Sequence, residues 1–438
     1  MNTTNNMYIK RVYLENVRCF DKFEIDFEDQ GSSILILGDN GDGKSTILKS
    51  IAMGLCDDTS ASALFREMQG EFVQRDKSID EAKLGSKAII EIDLTSGGGV
   101  VYRIETIITS LKAFERVDQK RFRLRGKEKK ELQESDFPWD KIFVCGYGPG
   151  LRTQGNADIQ HYLSVDAIYP LFKYDARLQN PELGIRRIID AVRGEYSTPK
   201  AKDDNSRKLL DVIKQLLSVL LDLEDAKQIN LTPTGIKVEG HWGKAELGEM
   251  GDGYQATVTW VIDFISWWFL DLVAKDNLSL LKRKTFGDIK GIVLIDEIEQ
   301  HLHPKWQRTV LHKLQQSFPG VQFISTTHSP LVASGSSEIK VHILRAGGHK
   351  IVTPYGWLAE DVYSIMGLTG SSRAPEYENK ILGKYEDLLS KRLDGTIKKQ
   401  DMSELKKLKT ELAKLPESDP VSLTSEIAMI TKKLRKLK

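Results

Sequence analysis

Residues 34–46, ILILGDNGDGKST, constrain the fold of this chain more than any other segment. Ile34, Leu35, Ile36 and Leu37 form an unbroken apolar run, the pattern of a strand buried on both faces. Gly38, Asp39, Asn40, Gly41, Asp42, Gly43, Lys44, Ser45 and Thr46 then satisfy GxxxxGK[ST]. Glycines let successive backbone N–H groups turn inward around phosphate oxygens, and the helix predicted over 46–55 adds its N-terminal dipole. Lys44 is placed to meet the β- and γ-phosphates, and the Ser45 hydroxyl to ligate Mg²⁺. Strand, loop and helix in this order predict an α/β fold that holds a nucleoside triphosphate. Asp39 and Asp42 oppose a polyphosphate unless they point away or touch the metal or base.

A second apolar run, Ile292 to Ile295, ends in Asp296 and Glu297. Open α/β sheets bind ligands at the carboxyl ends of their strands, which puts this acidic pair beside the phosphates. Asp296 is expected to hold Mg²⁺ through water, and Glu297 to orient or deprotonate the attacking water. A third run, 321–325, closes with Thr326, Thr327 and His328, so a histidine reaches the γ-phosphate from the same edge. Strands at 291–295, 321–325 and 341–344, with a helix at 304–318, imply a mainly parallel sheet covered by helices. Ahead of them the patterning predicts a hairpin over 8–27, β runs at 88–94 and 100–111, and a buried strand at 141–145. A mostly helical stretch at 181–225 and a short strand at 236–238 follow.

In this order and spacing the phosphate loop, the acidic pair and His328 resemble the ABC-type ATPase heads of the SMC/RecF/OLD group. Leu14-Glu-Asn-Val-Arg-Cys-Phe20 is similar to the N-terminal hairpin of those heads. The resemblance implies an ABC-type P-loop NTPase head: α/β with a mixed sheet, an inserted β/helical subdomain and a C-terminal helical extension. It implies ATP and Mg²⁺ as cofactors, with catalytic roles at Lys44, Glu297 and His328. It also implies a signature segment, which falls at Met250-Gly-Asp-Gly-Tyr-Gln255. There Gly251, Asp252 and Gly253 depart from the usual LSGGQ or LSDGY. Gly251 replaces the serine whose hydroxyl meets the opposing γ-phosphate, so slow hydrolysis is expected. Gln300-His-Leu-His303 falls at the D-loop position, with His303 where aspartate is common; His301 and His303 lack the further ligands of a metal site. Gln154 is the counterpart of the Q-loop glutamine, a metal contact.

Within the group the resemblance is nearest to the ATPase subunits of Septu anti-phage systems, the PtuA family, also found with some retrons. It rests on the Gly251–Tyr254 variant, on the run from Asp296 to Pro304, on Tyr147-Gly-Pro149, and on a C-terminal helical extension beginning near Gly367-Leu-Thr-Gly-Ser-Ser-Arg373. It implies heads that dimerise around ATP and a separate HNH nuclease partner.

Composition sets the outer bounds. A chain of 438 residues predicts two to three domains at roughly 150 residues each, and 40% hydrophobic residues supply sizeable cores. Lys+Arg 63 against Asp+Glu 62 leaves a net charge of +1, so no global field advertises nucleic acid. Cys19, Cys56 and Cys145 follow no disulfide or metal spacing and fit a reducing cytoplasm, and the first ten residues carry no secretory segment. Residues 259–273 are apolar but short for a bilayer and include Asp263 and Asp271. They read as a buried core helix, so no membrane is expected.

The expected division is a head over 1–370, with an insert at about 75–245, and a C-terminal helical assembly region over 371–438. In the latter, Leu405, Leu408, Leu412 and Leu415, then Leu423, Ile427, Ile430, Leu434 and Leu437, step by three and four. Pro416 and Pro420 bracket the link of an αα-hairpin whose seam buries on its own head, a second subunit or the nuclease. Arg116, Lys120, Arg121, Arg123, Arg125, Lys127, Lys129 and Lys130 crowd around Phe122. They suit nucleic-acid phosphates or an exposed β-turn kept soluble by charge, and both readings stay open.

The resulting expectation is a cytoplasmic, oligomeric ATP-binding subunit of an anti-phage complex that controls a nuclease without being one. The alternative is a DNA-repair or chromosome-maintenance ATPase acting directly on DNA, for which the long heptads after the phosphate loop are absent.

Overall fold

The structure, a computed structural model, describes residues 6–27, 31–68, 72–75, 84–111, 114–150, 163–194, 199–232, 235–240, 242–275, 287, 289–345, 348–366, 377–393, 395–412 and 414–415. The chain forms two compact units, Met1–Leu358 and Ala359–Lys438.

β1 (Tyr8–Val17) and β2 (Phe20–Asp26) pair antiparallel, with Val12, Leu14, Val17, Phe23 and Ile25 buried. β3 (Ile34–Leu37) is buried at every residue and feeds the phosphate loop and α1 (Lys44–Gly54). α2 (Asp58–Arg66) starts where the Asp57 carboxylate accepts the Ser60 N–H, a side-chain cap. β4 (Lys87–Thr95), β5 (Val100–Ser110), β6 (Glu115–Arg125) and β7 (Glu128–Leu132) complete an antiparallel sheet ordered β2-β1-β4-β5-β6-β7. The basic segment contains an exposed turn at 126–127 between two paired strands. It is the edge hairpin β6–β7, and β6 pairs with β5 from Glu115 to Arg125. Charged residues along that edge discourage further strand pairing.

β8 (Val144–Tyr147) begins later than the expected 141–145, because residues 139–141 form a 3₁₀ turn and pairing starts at Val144. α3 (Ser164–Ile168) precedes the expected helical stretch, which resolves into α4 (Pro181–Gly194) and α5 (Pro199–Leu220). The expected short strand is the middle of a small sheet of β9 (Ile229–Thr232), β10 (Gly235–Gly240) and β11 (Gly243–Glu246). α6 (Asp252–Ala274) follows. It is long and apolar enough to cross a membrane, but 94% of its most apolar window is buried inside the protein.

The remaining elements are β12 (Gly291–Ile295), α7 (Pro304–Gln307), α8 (Val310–Ser317), β13 (Val321–Thr327), α9 (Pro330–Ala333), β14 (Lys340–Arg345) and β15 (Gly348–Val352). The single helix expected over 304–318 is two, because Thr309 leaves helical geometry at φ −120°. The second large sheet is ordered β15-β14-β3-β13-β12-β8, parallel throughout except for the β14–β15 pair. This is the mixed sheet of a P-loop α/β head. One core joins both sheets through α1, where Ile47, Leu48 and Ile51 pack with Ile36, Ile90 and Ile324. Because β3, β13 and β12 are parallel, the segments after Leu37, Ile295 and Thr327 leave from the same edge.

In the second unit, α10 (Ala359–Met366) is followed by a π turn (Glu378–Leu382), α11 (Gly383–Leu393) and α12 (Lys399–Leu412). Leu388 packs with Leu405 and Leu408, beside Ile381, Tyr385 and Ile397, and Lys384 pairs with Glu404 at 2.8 Å. The hairpin was expected between 405–415 and 423–437. Leu405 and Leu408 pack with Leu388 of α11, and residues 416–438, which would hold the second helix of that hairpin, lie outside the described residues.

Candidate functional site

The phosphate loop is shaped by its own backbone. Gly43 sits at φ 90°, and a Cβ there would lie 2.5 Å from the Phe20 ring and 2.6 Å from Cys19 Sγ. Only glycine permits both the left-handed turn and the contact with the β1–β2 hairpin tip. The Asp42 carboxylate accepts the Asp39 N–H at 2.7 Å, so one of the two puzzling acids braces the loop itself. Lys44 is 5% exposed, and its Nζ donates to the Gly38 and Asp39 carbonyls, both at 2.9 Å. Burial pushes its ammonium below the ordinary lysine value, against the pull of Asp296, Asp42, Glu297 and Glu299. Ser45 is exposed at the start of α1, whereas Thr46 is buried beneath it; Asn40 and Gly41 are exposed at the loop tip.

The acidic pair and His328 meet this loop. Asp296 is 1% exposed; its N–H donates to the Tyr147 carbonyl at 2.8 Å, and its Oδ1 accepts the Thr326 hydroxyl at 2.5 Å. Glu297 holds φ 50°, a conformation that costs a non-glycine residue about 1–3 kcal/mol. Its N–H donates to Thr326 Oγ1 at 2.9 Å, and the Ile298 N–H to the Thr326 carbonyl at 3.0 Å, which holds the turn there. His328 Nδ1 lies 3.5 Å from Lys44 Nζ. The Ser45 hydroxyl and Asp296 carboxylate are an all-oxygen donor set of the kind a hard cation such as Mg²⁺ takes.

The segment Met250–Gln255 leads α6, with Gly251 as its N-cap and Asp252 in its first turn. Gln255 Nε2 donates to the Met250 carbonyl at 2.6 Å and steadies the approach. A Cβ on Gly253 would lie 2.4 Å from the His301 carbonyl, so the helix start presses on the Gln300–His303 turn. Tyr254 meets Trp306 and Trp242 edge-on, with centroids at 4.5 and 4.8 Å. These residues, with Asp222, His303 and Lys305, line an open groove of about 610 Å³. His303 Nδ1 accepts the Lys305 N–H at 3.2 Å and so caps α7, the local task an aspartate would perform. Among the described residues no cluster of three or more His, Cys, Asp or Glu is arranged for a metal. Gln154 lies outside the described residues.

Several features escaped the sequence. Tyr147, at the end of β8, donates its hydroxyl to Asp263 Oδ2 on α6 at 2.9 Å, and the Gln179 N–H donates to Oδ1 at 2.7 Å. Burial pushes the Asp263 carboxyl up to about 7, although these hydrogen bonds pull it down. Thr326 and Glu299 stand within quoted motifs, yet only the fold brings them to the acidic pair and His328. In the basic hairpin, Arg116 pairs with Asp118 at 2.8 Å, and Arg121 is buried 3.4 Å from Asp58. Lys129 lies 3.9 Å above the Phe122 ring. These cations already have protein partners.

Comparison with known proteins places the chain. The Septu protein PtuA of Bacillus mycoides (strain KBAB4) is 26% identical over 77% of this chain, and the match spans 40% of that protein. The retron Ec83 probable ATPase of Escherichia coli is 24% identical, over 86% of this chain and 79% of the relative. Among solved structures, the SMC head domain from Thermotoga maritima is similar, with a TM-score of 0.41 at 13% identity, over 79% of this chain and 98% of that one. A family model described as AAA domain matches residues 11–235, which hold the phosphate loop and the antiparallel sheet; Asp296, Glu297 and His328 lie beyond it. That match covers more than half of the sequence, and the chain belongs to the AAA domain family.

Proposed function

We propose that this chain is the ATP-binding subunit of an anti-phage defence complex, and that it dimerises around ATP and controls a separate HNH-type nuclease. The observation that carries the reading is the meeting of Lys44, Asp296, Glu297 and His328 at one sheet edge, with Lys44 Nζ 3.5 Å from His328 Nδ1. In this reading Gly38–Thr46 wrap the phosphates through backbone N–H groups, and Lys44 faces the β- and γ-phosphates. Ser45 and Asp296 hold Mg²⁺, whose bound charge offsets that of the phosphates. Glu297 orients the attacking water, and His328 meets the γ-phosphate. Gly251, Asp252 and Gly253 open the helix that caps the nucleotide of a second copy, through backbone N–H groups and dipole because Gly251 has no hydroxyl. Slow turnover suits a subunit whose output is a conformation.

Similarity to Septu and retron ATPases supports the defence context, and the PtuA match spans 40% of that relative. The nuclease partner, the dimer and the cytoplasmic location are parts of the proposal. The test is isolation of the native complex, followed by ATP turnover with and without what co-purifies. A nuclease that co-purifies and answers to ATP supports the reading. Turnover stimulated by duplex DNA without any partner would instead favour an ATPase acting directly on DNA.

A further inference from the structure

β12 and β13 end side by side, and two side chains join the turns that follow them. Thr326 serves the first turn: its hydroxyl donates to Asp296 and accepts the Glu297 N–H. Glu299 returns the tie from that turn to the loop after β13. Its Oε2 accepts the Thr327 hydroxyl at 2.7 Å, and its Oε1 accepts the His328 N–H at 2.6 Å. The Thr327 hydroxyl in turn accepts the Ser329 N–H at 3.0 Å. A carboxylate is an acceptor with two oxygens, here matched to two donors, and charge-assisted bonds of this kind are short and strong. The backbone that carries His328 is thereby fastened to the turn that carries Glu297.

We infer that Glu299 is a positioning residue that makes the Glu297 turn and the His328 loop one unit, so that contact with the terminal phosphate and aim of the water-orienting carboxylate are set together. The inference rests on the proposal above that this site takes ATP. Glu299 acts through His328, whose ring stands beside Lys44 where a terminal phosphate would lie. With the tie cut, the site keeps its phosphate loop and loses its ability to distinguish ATP from ADP. Glutamine at this position keeps one acceptor oxygen and presents an NH₂ in place of the other, so Glu299→Gln is the milder variant.

The test is binding of ATP and of ADP, each with Mg²⁺, to the full chain by calorimetry. Wild type, Glu299→Ala, Glu299→Gln, His328→Ala and the Glu299→Ala/His328→Ala double variant are compared. Preference for ATP should fall by about tenfold or more in Glu299→Ala, as expected for losing bonds to a charged acceptor. It should fall less in Glu299→Gln. The double variant should lose no more than His328→Ala alone, because the two act as one unit. A general loss of stability would lower ATP and ADP binding alike and leave their ratio unchanged. If Glu299→Ala and Glu299→Gln keep the wild-type ratio while His328→Ala loses it, the inference is overturned and the proposed function stands. A wild type that binds ATP and ADP equally also overturns it, and a wild type that binds neither overturns the proposed function itself.

Discussion

Lys44 Nζ and His328 Nδ1 stand 3.5 Å apart although 284 residues separate them in sequence. Sheet order produces this meeting, since β3 and β13 are parallel neighbours and their loops leave together. Lys44→Ala removes the cation at this junction, and ATP affinity should fall by about tenfold or more. Calorimetry that returned wild-type ATP affinity for Lys44→Ala would remove the phosphate loop from the site.

Glu297→Gln keeps the side chain's size and loses its negative charge. It should bind ATP, fail to hydrolyse it, and accumulate the closed dimer. Mass photometry checks this; equal dimer content with and without ATP would contradict the sandwich. Wild-type turnover should stay below about 10 s⁻¹, the median for enzymes, given glycine at position 251.

Gly253→Ala should disturb the start of α6, because the added Cβ would lie 2.4 Å from the His301 carbonyl. Overpacking of this kind costs about 1–3 kcal/mol. ATP should still bind the phosphate loop of a single head, while ATP-driven dimerisation weakens. Sedimentation with and without ATP reads the outcome, and an unchanged dimer would separate this contact from assembly.

Asp263 gives the fold a pH dependence whose sign follows from its environment. Its carboxyl is raised from 3.8 to about 7 in the folded chain, chiefly by burial. The folded state therefore holds this proton more tightly than the unfolded state. The stabilisation is complete below pH 3.8 and is lost as pH rises through about 7, a swing on the order of 4 kcal/mol. Asp263→Asn has no proton to lose there. The wild-type melting temperature, measured against this variant between pH 5 and 8, should fall and then level off. Parallel curves would show that Asp263 does not titrate in this range.

Leu405 and Leu408 already pack on Leu388, so they do not serve as an open assembly seam. The second apolar run of the expected seam is Leu423, Ile427, Ile430, Leu434 and Leu437, which lie outside the described residues. Asp at both Ile427 and Leu434 should abolish partner co-purification or reduce oligomer size while ATP binding survives. Buried, each unpaired charge would cost several kcal/mol. Wild-type assembly together with wild-type protection against phage would show that this seam does not assemble the complex.

The parts legible in sequence were those where burial dictates residue type. β3 and β12 are covered on both faces, so they spell continuous apolar runs. β6 is written mainly in charged residues and held by its ladder to β5, so its strand character was invisible. α11 and α12 share a short apolar seam, and leucine spacing alone does not say which helix faces it. At the site, Lys44, Asp296 and Glu297 sit inside local motifs. Glu299 faces His328 only because two parallel strands end together, and a separation of 29 residues carries no period to detect.

β3 lies between β13 and β14, so the strand that launches the phosphate loop gains both neighbours late in synthesis. Ser33, just ahead of it, accepts the Phe323 N–H across 290 residues. At about 5–20 residues per second, a ribosome needs roughly 15–60 s to supply those flanking strands. Through that interval the nascent chain carries β3 with both hydrogen-bonding edges open, a natural client for a chaperone. In the proposed site, Asp296, Glu297 and His328 join the phosphate loop only once the late strands have arrived. Birth order along the ribosome thus delays assembly of the proposed site until the head is nearly complete.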